Sequence, residues 1–178
     1  ADYSFWKHML LSLVIVLLAV INWFGADIAI RSENFFNVLK LILLGIFVVI
    51  GLSTPMEWSH LSPDTWVGPF EVVAGSMGIF LNYEGFELIA NASNSMRNPR
   101  KSLPIAYLGG VSAVIVIYVL IAIVVVGHLD FKVIAADSDA TLSLAAQSFM
   151  GSGGAAMIAI AAMLATSSAI NATFYGSG

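Results

Sequence analysis

The sequence predicts an all-α integral membrane protein built from five transmembrane helices. Three observations carry that reading. Only 10% of the 178 residues are charged while 59% are hydrophobic, several apolar runs reach the length of a bilayer crossing, and most of the charge falls in the short connections between them. A soluble domain carries about 25% charged residues, so this chain cannot coat a water-facing surface and lipid takes the place of water. The runs lack the ten-residue alternation of barrel strands, and in lipid the backbone must satisfy its own hydrogen bonds, which makes helix the default.

About 20 apolar helical residues cross a bilayer core, and five segments meet that length: 9–26, 35–54, 70–92, 103–128 and 155–173. The first is free of charge. Lys40 is the lone cation of the second. The third is interrupted by Glu84 and Glu87. The fourth is charge-free, and Ser102 before Pro104 reads as its start. Ahead of the fifth, Thr141 to Met150 reads as a short amphipathic helix, broken by Gly151-Ser152-Gly153-Gly154.

The connections set the orientation. Arg31 lies between spans one and two, and Arg97, Arg100 and Lys101 lie between three and four. Glu57 and Asp64 mark one of the remaining connections, and Asp130, Asp137 and Asp139 the other. Cationic loops stay in the cytoplasm, so span one enters from outside and span five ends inside. An odd number of spans and abrupt ends lead us to expect an interior part of a longer protein.

Composition also excludes. A net charge of −4 opposes nucleic acid, whose binding needs a basic face. There is no cysteine for disulfides or thiolate metal sites, and neither a metal nor a cofactor is expected. An enzyme reading lacks a nucleophile with its base, and the motifs of intramembrane hydrolases are absent.

The third span is the most informative. Gly75, Gly78 and Gly85 accompany Asn82, Glu84 and Glu87 where apolar residues should continue. A carboxylate at membrane depth is costly and persists where it faces protein, water or a ligand. Glycines among polar residues let a helix open, and transporters hold substrate near the midplane on broken helices. Two plainer readings stay open: the carboxylates touch water at the cytoplasmic end, and the glycines serve close helix packing. Lys40 reads equally as a snorkelling side chain whose stem carries its ammonium to the headgroups. Ser167 and Asn171 are four apart and share a helix face, fit for an interhelical hydrogen bond or for a site.

Asn82-Tyr83-Glu84-Gly85-Phe86-Glu87, followed by Asn98-Pro99-Arg100-Lys101-Ser102-Leu103-Pro104, resembles the sixth span and following loop of the amino acid, polyamine and organocation (APC) permeases. Asn37-Val38-Leu39-Lys40-Leu41 is similar to the start of their fifth span, and the stretch Leu164 to Ala172 to their eighth. The resemblance covers nearly the whole chain. It implies spans four to eight of about twelve in an inverted-repeat (5+5) transporter fold, the third helix here being discontinuous.

The resemblance also implies a site. Phe80, Leu81, Asn82, Tyr83, Glu84 and Gly85 would form one wall for the substrate, with free amides and carbonyls at the break meeting carboxylate and ammonium. Glu87 would gate or support the break. Lys40 would occupy the place that sodium takes in coupled relatives, opposite the hydroxyls of Thr166, Ser167 and Ser168. Desolvation disfavours a buried ammonium, which suits it to carrying a proton.

The implied function is secondary active transport of amino acids or related organic amines, coupled to protons, in the plasma (inner) membrane. The implied partners are the amino acid, protons, the bilayer and the remaining spans of the same transporter. An exchanger without ion coupling is the alternative within transport. A transporter-like ligand sensor or assembly subunit is the alternative from another class.

Overall fold

The computed structural model describes residues 5, 8–9, 12–13, 15–16, 20, 26–80, 83, 88–91, 96 and 98–176. Among them there is no strand. The described residues between 5 and 20 are helical. The helices that follow are α1 (Ala26–Ser53), α2 (Pro69–Phe80), α3 (Leu88–Asn91), α4 (Pro99–His128), α5 (Phe131–Ala136) and α6 (Thr141–Gly176). Stretches of α1, α4 and α6 are long and apolar enough to cross a membrane. The 12 described residues of α2 are mostly apolar, Glu71 in the first turn excepted, and are fewer than the roughly 20 a crossing needs.

Helix α1 starts well before residue 35, so Arg31, expected in a connection, lies in helix. The apolar run marks where lipid begins, not where backbone hydrogen bonding begins. At the other end Thr54 Oγ1 reaches the carbonyls of Ile50 and Gly51 at 3.1 and 3.0 Å, and Pro55 cannot continue the ladder. Helix α4 starts at Pro99, earlier than Ser102. Asn98 takes the N-cap position, its carbonyl accepting from Lys101 and Ser102 N–H. Proline is preorganised for the first helical position, and this outweighs the interruption by Pro104, which lies inside the helix.

Within α6, Gly151 has φ 70° and ψ −159°, a conformation essentially confined to glycine. There the two halves of the helix bend sharply. Ser143 Oγ lies 3.5 Å from the carbonyl of Ala155, whereas twelve residues of straight helix would separate them by about 18 Å. Gly154 permits the bend, since a Cβ there would sit 2.6 Å from the Ala146 carbonyl oxygen.

The core lies among α1, α4 and α6, where Phe47, Val48, Val124, Val125, Ala145, Ala146 and Ile158 are buried together. Small residues on α6 let the helices approach closely, as membrane bundles require. Large apolar side chains elsewhere point outward, including Phe35, Val38, Ile42, Leu108, Val119 and Met163. Surfaces that apolar mark membrane or protein contact. The chain is an integral membrane protein with several spans.

The final carbonyls of α4 are closed by unusual partners. Leu129 N–H donates to Val125 and Glu57 N–H to Gly127 at 2.9 and 2.8 Å. His60 Nδ1 lies 3.0 Å from the Val126 oxygen and His128 Nδ1 lies 2.8 Å from that of Val124. A carbonyl only accepts, so Nδ1 carries the proton in both rings.

Candidate functional site

Glu33, Asn37 and Lys40 lie on one stripe of α1, spaced four and then three residues apart. Ser168 and Asn171 lie three apart on α6 and face them. Both are deeply buried, at 3% and 1% exposure, and a polar side chain so placed must find partners. The partners are on α1, whose three polar groups are half-buried.

Glu33 is the hub. Its Oε1 accepts from Asn37 Nδ2 at 2.9 Å and from Ser168 Oγ at 2.5 Å. Its Oε2 accepts from Asn171 Nδ2 at 3.1 Å. Lys40 Nζ donates to Ser168 Oγ at 3.1 Å, and Asn37 Oδ1 lies 3.4 Å from the same hydroxyl. A serine hydroxyl has one hydrogen. Ser168 directs it at the carboxylate and receives the ammonium on a lone pair, so it bridges two opposite charges. Among the described residues no buried side-chain donor or acceptor is left without a partner.

Lys40 also edges an apolar cavity of about 500 Å³ between α1, α4, α5 and α6. Leu44, Tyr118, Ile121, Val125, Ile158 and Ala162 line it, and among the described residues Lys40 is the only charged one on its wall. Tyr118 meets Tyr83 edge to face, ring centres 5.7 Å apart.

The expected site residues distribute unevenly. Lys40 and Ser168 are brought together, 128 residues apart in sequence. Ser167 is half-buried. Thr166 is exposed, and its hydroxyl donates to the Ala162 carbonyl of its own helix at 3.0 Å. Phe80 ends α2, 72% exposed, and Tyr83 is half-buried against Tyr118. Leu81, Asn82, Glu84, Gly85 and Glu87 lie outside the described residues.

Sequence reasoning passed over Glu33, which fell just before the counted apolar run. The signal was its spacing to Asn37 and Lys40, which places all three on one face once the helix extends back to Ala26.

Comparison with known proteins follows the same lines. The family model for amino acid permeases matches residues 3–178. An uncharacterized protein of Methanocaldococcus jannaschii is 36% identical over 166 residues, 92% of this chain and 38% of that protein. The inner membrane transport protein YbaT of Escherichia coli is 28% identical over 179 residues, 95% of this chain and 40% of its own length. The branched-chain amino acid permease BcaP of Lactococcus lactis is 32% identical over 123 residues, 65% of this chain and 26% of its own length. The chain thus spans well under half of each of these relatives. A match from residue 3 to residue 178, on a bundle of apolar helices, means that the chain belongs to the amino acid permease family.

Proposed function

We propose that this chain is the central part of a secondary transporter that moves amino acids or related organic amines across the membrane, driven by protons through Lys40. The observation that carries the reading is the bond from Lys40 on α1 to Ser168 on α6. It gives the Lys40 ammonium a neutral hydroxyl as its acceptor, beside an apolar cavity. An ammonium can only donate to that hydroxyl whereas a neutral amine can also accept from it, which suits a group that gains and loses a proton during a cycle. Amino acid as the substrate class rests on the family and on relatives named as amino acid permeases.

In this reading the segment Phe80 to Gly85 forms one wall of the substrate site, with Glu87 in support. Broken helices in transporters offer free amides to anionic groups and free carbonyls to cations, which is what a zwitterion needs. Tyr83 supplies an aromatic face for the substrate amine. The remaining spans supply the opposite wall.

Uptake of labelled amino acids by proteoliposomes holding the full-length transporter tests the reading. An imposed proton gradient is expected to drive accumulation, and Lys40→Ala to abolish that dependence. Gradient-independent exchange would replace it with the exchanger. Binding of amino acids with no movement across the membrane would favour a ligand sensor.

A further inference from the structure

We infer that Glu33 is the positioning residue of the coupling site: acting through the Ser168 hydroxyl, it holds Lys40 in place and supplies its counter-charge. The inference rests on the proposed role of Lys40 and adds a residue, and a physical task, which that role alone does not require.

Three donors converge on this one carboxylate, and they come from two helices. Asn37 approaches from the next turn of α1, and Ser168 and Asn171 approach from α6. Donors are matched by a group that only accepts. They also make the site selective for a carboxylate. A glutamine would turn its own amide hydrogens toward Asn171 or toward Ser168 and Asn37, and donor would then face donor. A brace between helices needs only one or two neutral hydrogen bonds. Three donors fixed on a single acid, with an ammonium one hydroxyl away, is the arrangement of a compensated charge.

Among the described residues the compensation falls to this pair, Lys132 of α5 being exposed. From residue 141 to 173, α6 carries no ionisable side chain. On α4, Tyr118 is the ionisable group that shares the cavity wall with Lys40, and Tyr83 touches it from the other side. The α1 stripe contributes Glu33 and Lys40 themselves. Ser168 is the joint: its hydrogen goes to Glu33 and its lone pair faces Lys40. Loss of the carboxylate frees that hydrogen to turn, and the ammonium loses both its oriented acceptor and its compensating charge.

The test is the pH profile of amino acid uptake by full-length transporter in proteoliposomes. Glu33→Gln is expected to move the profile to lower pH by about one unit, the scale of removing a near opposite charge. Glu33→Asp keeps the charge and is expected to restore the wild-type position at a lower rate. Ser168→Ala, a mild change, is expected to move the profile in the same direction as Glu33→Gln and keeps the test open if that variant does not fold. A Glu33→Gln or Ser168→Ala protein slowed equally at every pH would reduce Glu33 to a brace and overturn the inference. Lys40→Ala run alongside separates the two failures. If it leaves the pH dependence intact, the coupling role of Lys40 falls; if it removes the dependence while Glu33→Gln leaves the profile in place, only the role of Glu33 falls.

Discussion

Gly51 and Val124 approach so closely that no side chain fits between them: a Cβ on Gly51 would overlap Val124 Cγ1 and lie 3.3 Å from the ring of Phe149. This is where α1, α4 and the first half of α6 meet, and Val124 is completely buried there. Gly51→Val is expected to destabilise the full-length protein by about 1–3 kcal/mol, the usual cost of overpacking. Gly45, with nothing near its Cβ position, should accept alanine without loss. Thermal unfolding in detergent, followed for both variants, checks the contrast.

Gly151 gives a second contrast inside a single helix. Its φ of 70° with ψ of −159° carries a penalty of about 1–3 kcal/mol for any residue with a Cβ. Gly151→Ala should therefore lower the melting temperature. Gly153 has a negative φ and open space beside it, so Gly153→Ala should leave the melting temperature unchanged or raise it, since alanine favours helix.

The histidines around the C-terminal end of α4 offer a third. His60 closes the Val126 carbonyl at 3.0 Å and its ring stacks near Phe131, centres 5.8 Å apart. His60→Ala is expected to cost about 1 kcal/mol, the net worth of one such bond. Hydrogen exchange should quicken at the C-terminal turn of α4 and stay unchanged at its start.

A fourth concerns the substrate wall. Gly85→Leu is expected to abolish amino acid binding by the full-length transporter while leaving its amount in the membrane intact. Equilibrium binding of a labelled amino acid measures it, and wild-type affinity would count against the proposed wall.

The all-helical class and the long apolar helices α1 and α4 were legible because lipid demands long apolar runs, and apolar length is readable residue by residue. The bend at Gly151 was legible as a glycine cluster, since positive φ is a local property. Lys40 stood out as the lone cation in an apolar run. The position of Glu33 was not legible in the same way. Its carboxylate sits where the hydropathy signal fades, and its meaning comes from Ser168 and Asn171, more than 130 residues along the chain. Helical spacing pointed to Ser167 with Asn171. The interhelical contact selects Ser168 with Asn171, a rotation that depends on how α6 packs on α1 and leaves no mark in one sequence. Helix α1 already runs at Ala26 and α4 at Pro99, ahead of the apolar runs, because backbone hydrogen bonding extends past the edge of the apolar region.

The tip of α4 is fastened to the turn after α1 by Glu57, His60 and the 2.9 Å contact between Thr54 Oγ1 and His128 Nε2. Met56 lies against Gly127 so tightly that a Cβ there would sit 2.9 Å from its sulfur. These two helix ends are therefore tied together: displacing this end of α4 must either carry residues 54–60 with it or break these contacts.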